Sequence, residues 1–93
     1  MKLTNPIINT LNRANIDYKL NAKNDPTDRV EVSNRFTGET AVVHPLIAKI
    51  IYWVYETNNA YERGDNTVKL SDFDRLRYFV LANDPTAYYL CLD

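Results

Sequence analysis

The stretch from His44 to Gly64, HPLIAKIIYWVYETNNAYERG, constrains the fold of this chain more than any other. His44-Pro45 places a proline in the first turn of a helix, where its missing N–H costs no intrahelical bond. Gly64 lies where a left-handed residue ends one. At about 100° per residue, Ile50, Ile51, Val54, Asn58 and Tyr61 fall within about 60° of Ile47 and define a core stripe. Leu46, Trp53, Thr57 and Ala60 line one flank, and Tyr55 lies on the other. Lys49, Tyr52, Glu56, Asn59 and Arg63 occupy the back, so Tyr52 is a large aromatic on a polar face.

Local signals place the other elements around this helix. Asn5-Pro6 reads as a capped helix start, and Ile7, Ile8 and Leu11 recur at helical spacing up to Ala14 or Asn15. Residues 16–21, IDYKLN, alternate apolar and polar and predict a half-buried strand. Residues 22–28, AKNDPTD, read as a polar turn with Asp25-Pro26 as its breaker. Residues 29–43, RVEVSNRFTGETAVV, read as a hairpin whose turn needs the positive φ of Gly38. A bulged turn at Phe36-Thr37 sets Arg35 opposite Glu39 and Val32 opposite Val42, which keeps the valines on one face. Ser71 to Asp74, SDFD, resembles a capping box and opens a helix from about Asp72 to Ala82. Asp84-Pro85 caps a last short helix running to about Leu92. The expected architecture is a single α+β domain over residues 1–93, a small three-stranded antiparallel sheet packed against helices in the order α-β-β-β-α-α-α.

Composition removes many functions. A net charge of −1 carries no general footprint for nucleic acid or an acidic membrane. With one cysteine, Cys91, no intrachain disulfide forms, which fits a reducing compartment. No apolar run reaches signal-peptide or membrane-spanning length, so a cytoplasmic protein with no membrane association is expected. His44 and Cys91 stand alone of their kinds. A nucleophile–base pair would have to be assembled from those two, and a zinc site would lack ligands. His44 is better explained as a helix cap and Cys91 as a small apolar filler. The acidic residues Asp65, Asp72 and Asp74 lack calcium-loop spacing, and Asp72 and Asp74 suit a helix N-terminus. The expectation is no enzyme, no cofactor and no metal.

The tyrosines are the one strong bias, seven in ninety-three residues. Phe73, Leu76, Phe79 and Val80 make the inward side of their helix, leaving Tyr78 opposite. Tyr88 and Tyr89 are adjacent and cannot both face inward. Tyr52, Tyr55, Tyr78, Tyr88 and Tyr89, together with Arg35 and Phe36 at the hairpin tip, are therefore the candidate protein-binding residues. Tyrosine brings rigid area at low entropy cost and is enriched at interfaces. Lys19, Lys23, Arg29 and Arg35, with Tyr18 and Phe36 interleaved, also offer a basic-aromatic set of the kind that binds single strands, but interleaved Asp and Glu residues make nucleic acid a weaker expectation.

The motifs NRFTGET (Asn34 to Thr40), NNAYERGD, and VKLSDFDRLRYFVLANDPTAYYLCLD (Val68 to Asp93) resemble a group of small tailed-phage accessory proteins of unassigned role. The likeness covers roughly Asn34 to Asp93 and is carried by structural motifs, so it supplies no active site. It implies a protein that binds stoichiometrically to a host or defence factor and inhibits it. A homo-oligomer whose aromatics meet across a two-fold axis, and a single-strand nucleic-acid binder, are the alternatives.

Overall fold

The computed structural model describes residues 1–19 and 29–92. In chain order these form α1 (Asn5–Arg13), β1 (Val30–Ser33), β2 (Thr40–Val43), α2 (Pro45–Glu62), α3 (Leu70–Asn83) and α4 (Pro85–Cys91). The architecture is α+β but helix-dominated. The expected third strand is absent among the described residues, and the sheet has two strands.

The residues of that expected strand show why. Asn15 takes a left-handed conformation (φ 61°) directly after α1. Its N–H donates to Asn12 O and that of Ile16 to Leu11 O, closing the helix in a Schellman arrangement. Beyond it, Lys19 N–H donates to the Asp17 carboxylate, and Lys49 Nζ donates to Asp17 O. Ile16 and Tyr18 still pack against the core. The alternation reported burial correctly, but the backbone groups found partners outside a ladder. Leu20, Asn21 and the expected turn of residues 22–28 lie outside the described residues.

The hairpin register differs by one residue from the expected one. Val30 pairs with Val43, Glu31 with Val42, Val32 with Ala41 and Ser33 with Thr40. Val32 and Val43 are fully buried, whereas Val42 is exposed. Positions 41 and 43 share a face, so this register keeps Val32 and Val43 inward together; the expected one would have turned Val42 in. The turn is longer than a three-residue bulge. Asn34 N–H donates to Glu39 O (2.7 Å) and Gly38 N–H to Asn34 O (2.8 Å), with Gly38 at φ 75°.

Around this hairpin, β1 lies against α2 and β2 against α4, while α3 touches α1, α2 and α4. The core gathers Leu11, Val32, Val43, Ile47, Ile50, Ile51, Leu76 and Val80. Ile47, Ile50, Ile51 and Val54 of the expected α2 stripe are buried, but Leu46, Ala48 and Thr57 are buried beside them, Asn58 is exposed and Tyr61 is half-buried. His44 caps α2 by accepting from Leu46 N–H at Nδ1 (3.1 Å). Gly64 (φ 84°) ends it, with Gly64 N–H on Tyr61 O and Asp65 N–H on Ala60 O. Asp84 caps α4 through Ala87 N–H.

Two expected caps do not form. Thr4, not Asn5, precedes α1, and it makes no side-chain cap bond. The capping box at Ser71 is also absent. Asp72 and Phe73 N–H both donate to Lys69 O, which carries α3 back past Ser71. Asp74 faces Arg77 (4.0 Å) rather than the Ser71 backbone. Among the described residues no helix is long and apolar enough to cross a membrane.

Candidate protein-binding surface

The hairpin tip is held by one side chain. Asn34 Oδ1 accepts from Phe36 N–H (2.8 Å) and Thr37 N–H (3.1 Å), folding the turn over itself. Its Nδ2 donates to Leu90 O (2.7 Å), tying the tip to α4. A second tie runs from α2, where Tyr55 Oη donates to Cys91 O (2.8 Å). Burial first, and then the neighbouring Cys91, push the Tyr55 phenol up to about 12. Burial likewise pushes the Cys91 thiol up. Both groups are therefore neutral at ordinary pH, and both positions serve packing.

These ties present Arg35 and Phe36 outward at a fixed place. Phe36 is 80% exposed. The Arg35 guanidinium lies 4.9 Å from the Phe36 ring centre and 5.2 Å from that of Tyr55, stacked between the turn and α2. On α3, Arg77 lies 5.5 Å from the Phe73 ring and 5.6 Å from the Tyr78 ring. Its NH2 is 3.5 Å from Tyr88 Oη, and the Tyr88 and Tyr89 rings meet edge-on at 5.5 Å. A groove of about 190 Å³ joins the two arginines, with Tyr55, Phe73, Asn58 and Leu92 among its walls.

Six of the seven candidate residues thus fall into two groups, Phe36 and Tyr55 around Arg35, and Tyr78, Tyr88 and Tyr89 around Arg77, with the groove between the two arginines. Their exposures divide them. Tyr78 (54%) and Tyr89 (61%) are outward, as expected. Tyr88 is buried at 7%, and Tyr55 is half-buried with its hydroxyl engaged, so these two are not surplus to the core. Each packs where α4 closes on the rest of the fold, which their own helix faces do not reveal. Tyr52, 48% exposed, lies apart, beside Ala14, Ile16 and Lys49.

Sequence reasoning missed Asn34, Phe73 and Arg77. A signal existed for each. Asn34 precedes a Gly-containing turn, where Asn side chains bond backbone N–H groups two and three residues on. Phe73 and Arg77 are four apart on a helix and therefore neighbours on its surface.

Lys23 lies outside the described residues, and among those described the basic-aromatic set considered for nucleic acid is dispersed. Tyr18 and Arg29 line a separate cavity with His44, Leu46 and Asp84, at the opposite end of β1 from Arg35. Burial, and after it Arg29, lower the His44 pKa, consistent with its neutral acceptor role. His44 and Cys91 line different cavities.

No family model matches the chain, and neither the curated proteins nor the solved structures give a match.

Proposed function

We propose that this chain acts stoichiometrically as a protein-binding module, through the surface formed by the hairpin tip and the outward sides of α3 and α4. In keeping with the resemblance to small tailed-phage accessory proteins, its effect on the bound host or defence factor is inhibition. The observation that carries the reading is the position of Phe36, four-fifths exposed yet held in place by the Asn34 bonds and the Arg35 stack. A solvent-facing phenylalanine adds nothing to the fold, and a pre-ordered one loses little entropy on binding. Arginine and tyrosine around it are the residue types that dominate interface energetics.

The test is affinity capture from bacterial lysate with the intact chain as bait, beside a Phe36→Ala, Tyr89→Ala double variant. A stoichiometric partner lost with the double variant is the expected result. Recovery of no partner, or of one indifferent to both substitutions, overturns the reading. A concentration-dependent dimer that the double variant abolishes would reassign the surface to self-association.

A further inference from the structure

The groove between the hairpin tip and α3 has a charge character unlike the rest of the chain. Arg35 and Arg77 both line it, and no aspartate or glutamate does. The whole protein carries a net charge of −1, so this pairing is local. Among the described residues Arg35 makes no ion pair, and rings stack on its guanidinium. Stacking occupies the planar faces of a guanidinium and leaves its in-plane N–H donors free. Arg77 has one carboxylate neighbour, Asp74, at the outer limit of 4.0 Å. Its Nε is buried and has no hydrogen-bond partner. That atom is closed to solvent, so the donors a ligand can meet are on NH1 and on NH2, which lies at a long 3.5 Å from Tyr88 Oη, and arginine's fork matches a carboxylate. Asn58 adds an exposed amide to the same wall, while Phe36 and the half-buried Leu92 supply apolar surface.

We propose that this groove takes an acidic side chain of the partner protein, an aspartate or glutamate whose carboxylate accepts from Arg35 and Arg77, with a neighbouring aliphatic residue against Phe36 and Leu92. The inference rests on the protein-binding reading above and names the chemistry its partner must offer. A peptide fits better than a nucleic-acid strand. Strand binding tracks a backbone with a row of cations, and Arg29 lies at the far end of β1 from these two arginines. A volume of about 190 Å³ also matches one or two side chains rather than a run of nucleotides.

The experiment titrates the labelled protein, followed by ¹H–¹⁵N correlation spectra, with three probes. These are the blocked peptide Ac-Gly-Asp-Leu-Glu-Gly-NH2, its Asn/Gln isostere and a short oligothymidylate. Expected are shifts at Arg35, Asn58, Arg77 and Leu92 with the acidic peptide, at a Kd on the order of millimolar. The isostere should bind at least about tenfold more weakly, the worth of one charged hydrogen bond or more. Arg35→Gln and Arg77→Gln should each weaken acidic-peptide binding about fivefold or more, whereas Arg75→Gln, on a side of α3 that bonds Thr10, should not. Equal binding of the isostere, no shifts at these residues, or preference for the oligothymidylate overturns the proposal. If partner capture depends on Phe36 but is unchanged in Arg35→Gln and Arg77→Gln, the protein-binding reading stands and the carboxylate pocket falls. If the acidic peptide binds as expected and capture fails, the reverse holds.

Discussion

Arg13 and Asp72, 59 residues apart in sequence, form a two-pronged ion pair that locks α1 onto α3. Arg13 Nε donates to Asp72 Oδ2 at 3.0 Å and its NH2 to Oδ1 at 2.8 Å. Thr10, fully buried, accepts from both Arg13 and Arg75. The Arg13 hydrogen bonds hold the Asp72 carboxyl below its usual range, against the opposing effect of burial.

Asp72→Asn should therefore destabilise the fold by about 1–3 kcal/mol at neutral pH, the effect of losing a hydrogen-bonded charge at a buried acceptor. The pH dependence has a definite sign. A carboxyl whose folded pKa is depressed contributes stability that is present above the ordinary aspartate value and lost as pH falls through the folded value. Urea denaturation at neutral and acidic pH should show the gap between wild type and Asp72→Asn closing on acidification. A gap that stays constant would show that the pair is not the source.

Asn34 makes two separable sets of bonds. Asn34→Asp keeps the oxygen that accepts from Phe36 and Thr37 N–H but loses the donor to Leu90 O. Asn34→Ala loses both. The expected order of stability is wild type, then Asp, then Ala, with Ala lower than wild type by about 2 kcal/mol. Equilibrium unfolding orders the three. The Phe36 ring resonances should also lose their single environment in Asn34→Ala, because the tip is no longer tied to α4.

Tyr88 and Tyr89 are neighbours in sequence with opposite roles. Tyr88→Ala opens space in the core and should destabilise by about 3 kcal/mol, as aromatic truncations do. Tyr89→Ala and Phe36→Ala, at exposed positions, should change stability by no more than about 0.5 kcal/mol. Thermal melts distinguish them. A strongly destabilised Phe36→Ala would mean that its ring supports the fold, and would remove the main support for a binding role.

Tyr55 should ionise well above the ordinary tyrosine value. Its folded value of about 12 lies above the ordinary tyrosine value, so its contribution is fully present at neutral pH. That contribution is lost as pH rises from about 10 through the folded value, because the unfolded chain ionises first. Tyr55→Phe should remove a step at about pH 12 from an ultraviolet phenolate titration and flatten the alkaline limb of stability. It should also lower neutral stability by about 1 kcal/mol through the lost bond to Cys91 O.

Both ends of α2 and the start of α4 were legible in the sequence, whereas the expected caps of α1 and α3 were not formed. Pro45 with the His44 cap, Gly64 after α2 and Asp84 before α4 act through bonds to groups within four residues, so sequence spacing alone specifies them. The inward positions Ile47, Ile50, Ile51, Val54, Phe73, Leu76, Phe79 and Val80 were legible for a similar reason, since a helix repeats its faces at a fixed period. What tertiary structure decided was partnership. Alternation at residues 16–19 marks which side is covered but not what the backbone bonds to. The hairpin register depended on whether Val43 or Val42 met the helices. Tyr55, Asn34 and Asp72 were assigned by partners 36, 56 and 59 residues away. The groove between Arg35 and Arg77 exists because α4 and the hairpin tip are tied together, and a long-range tie leaves no period in the sequence to read.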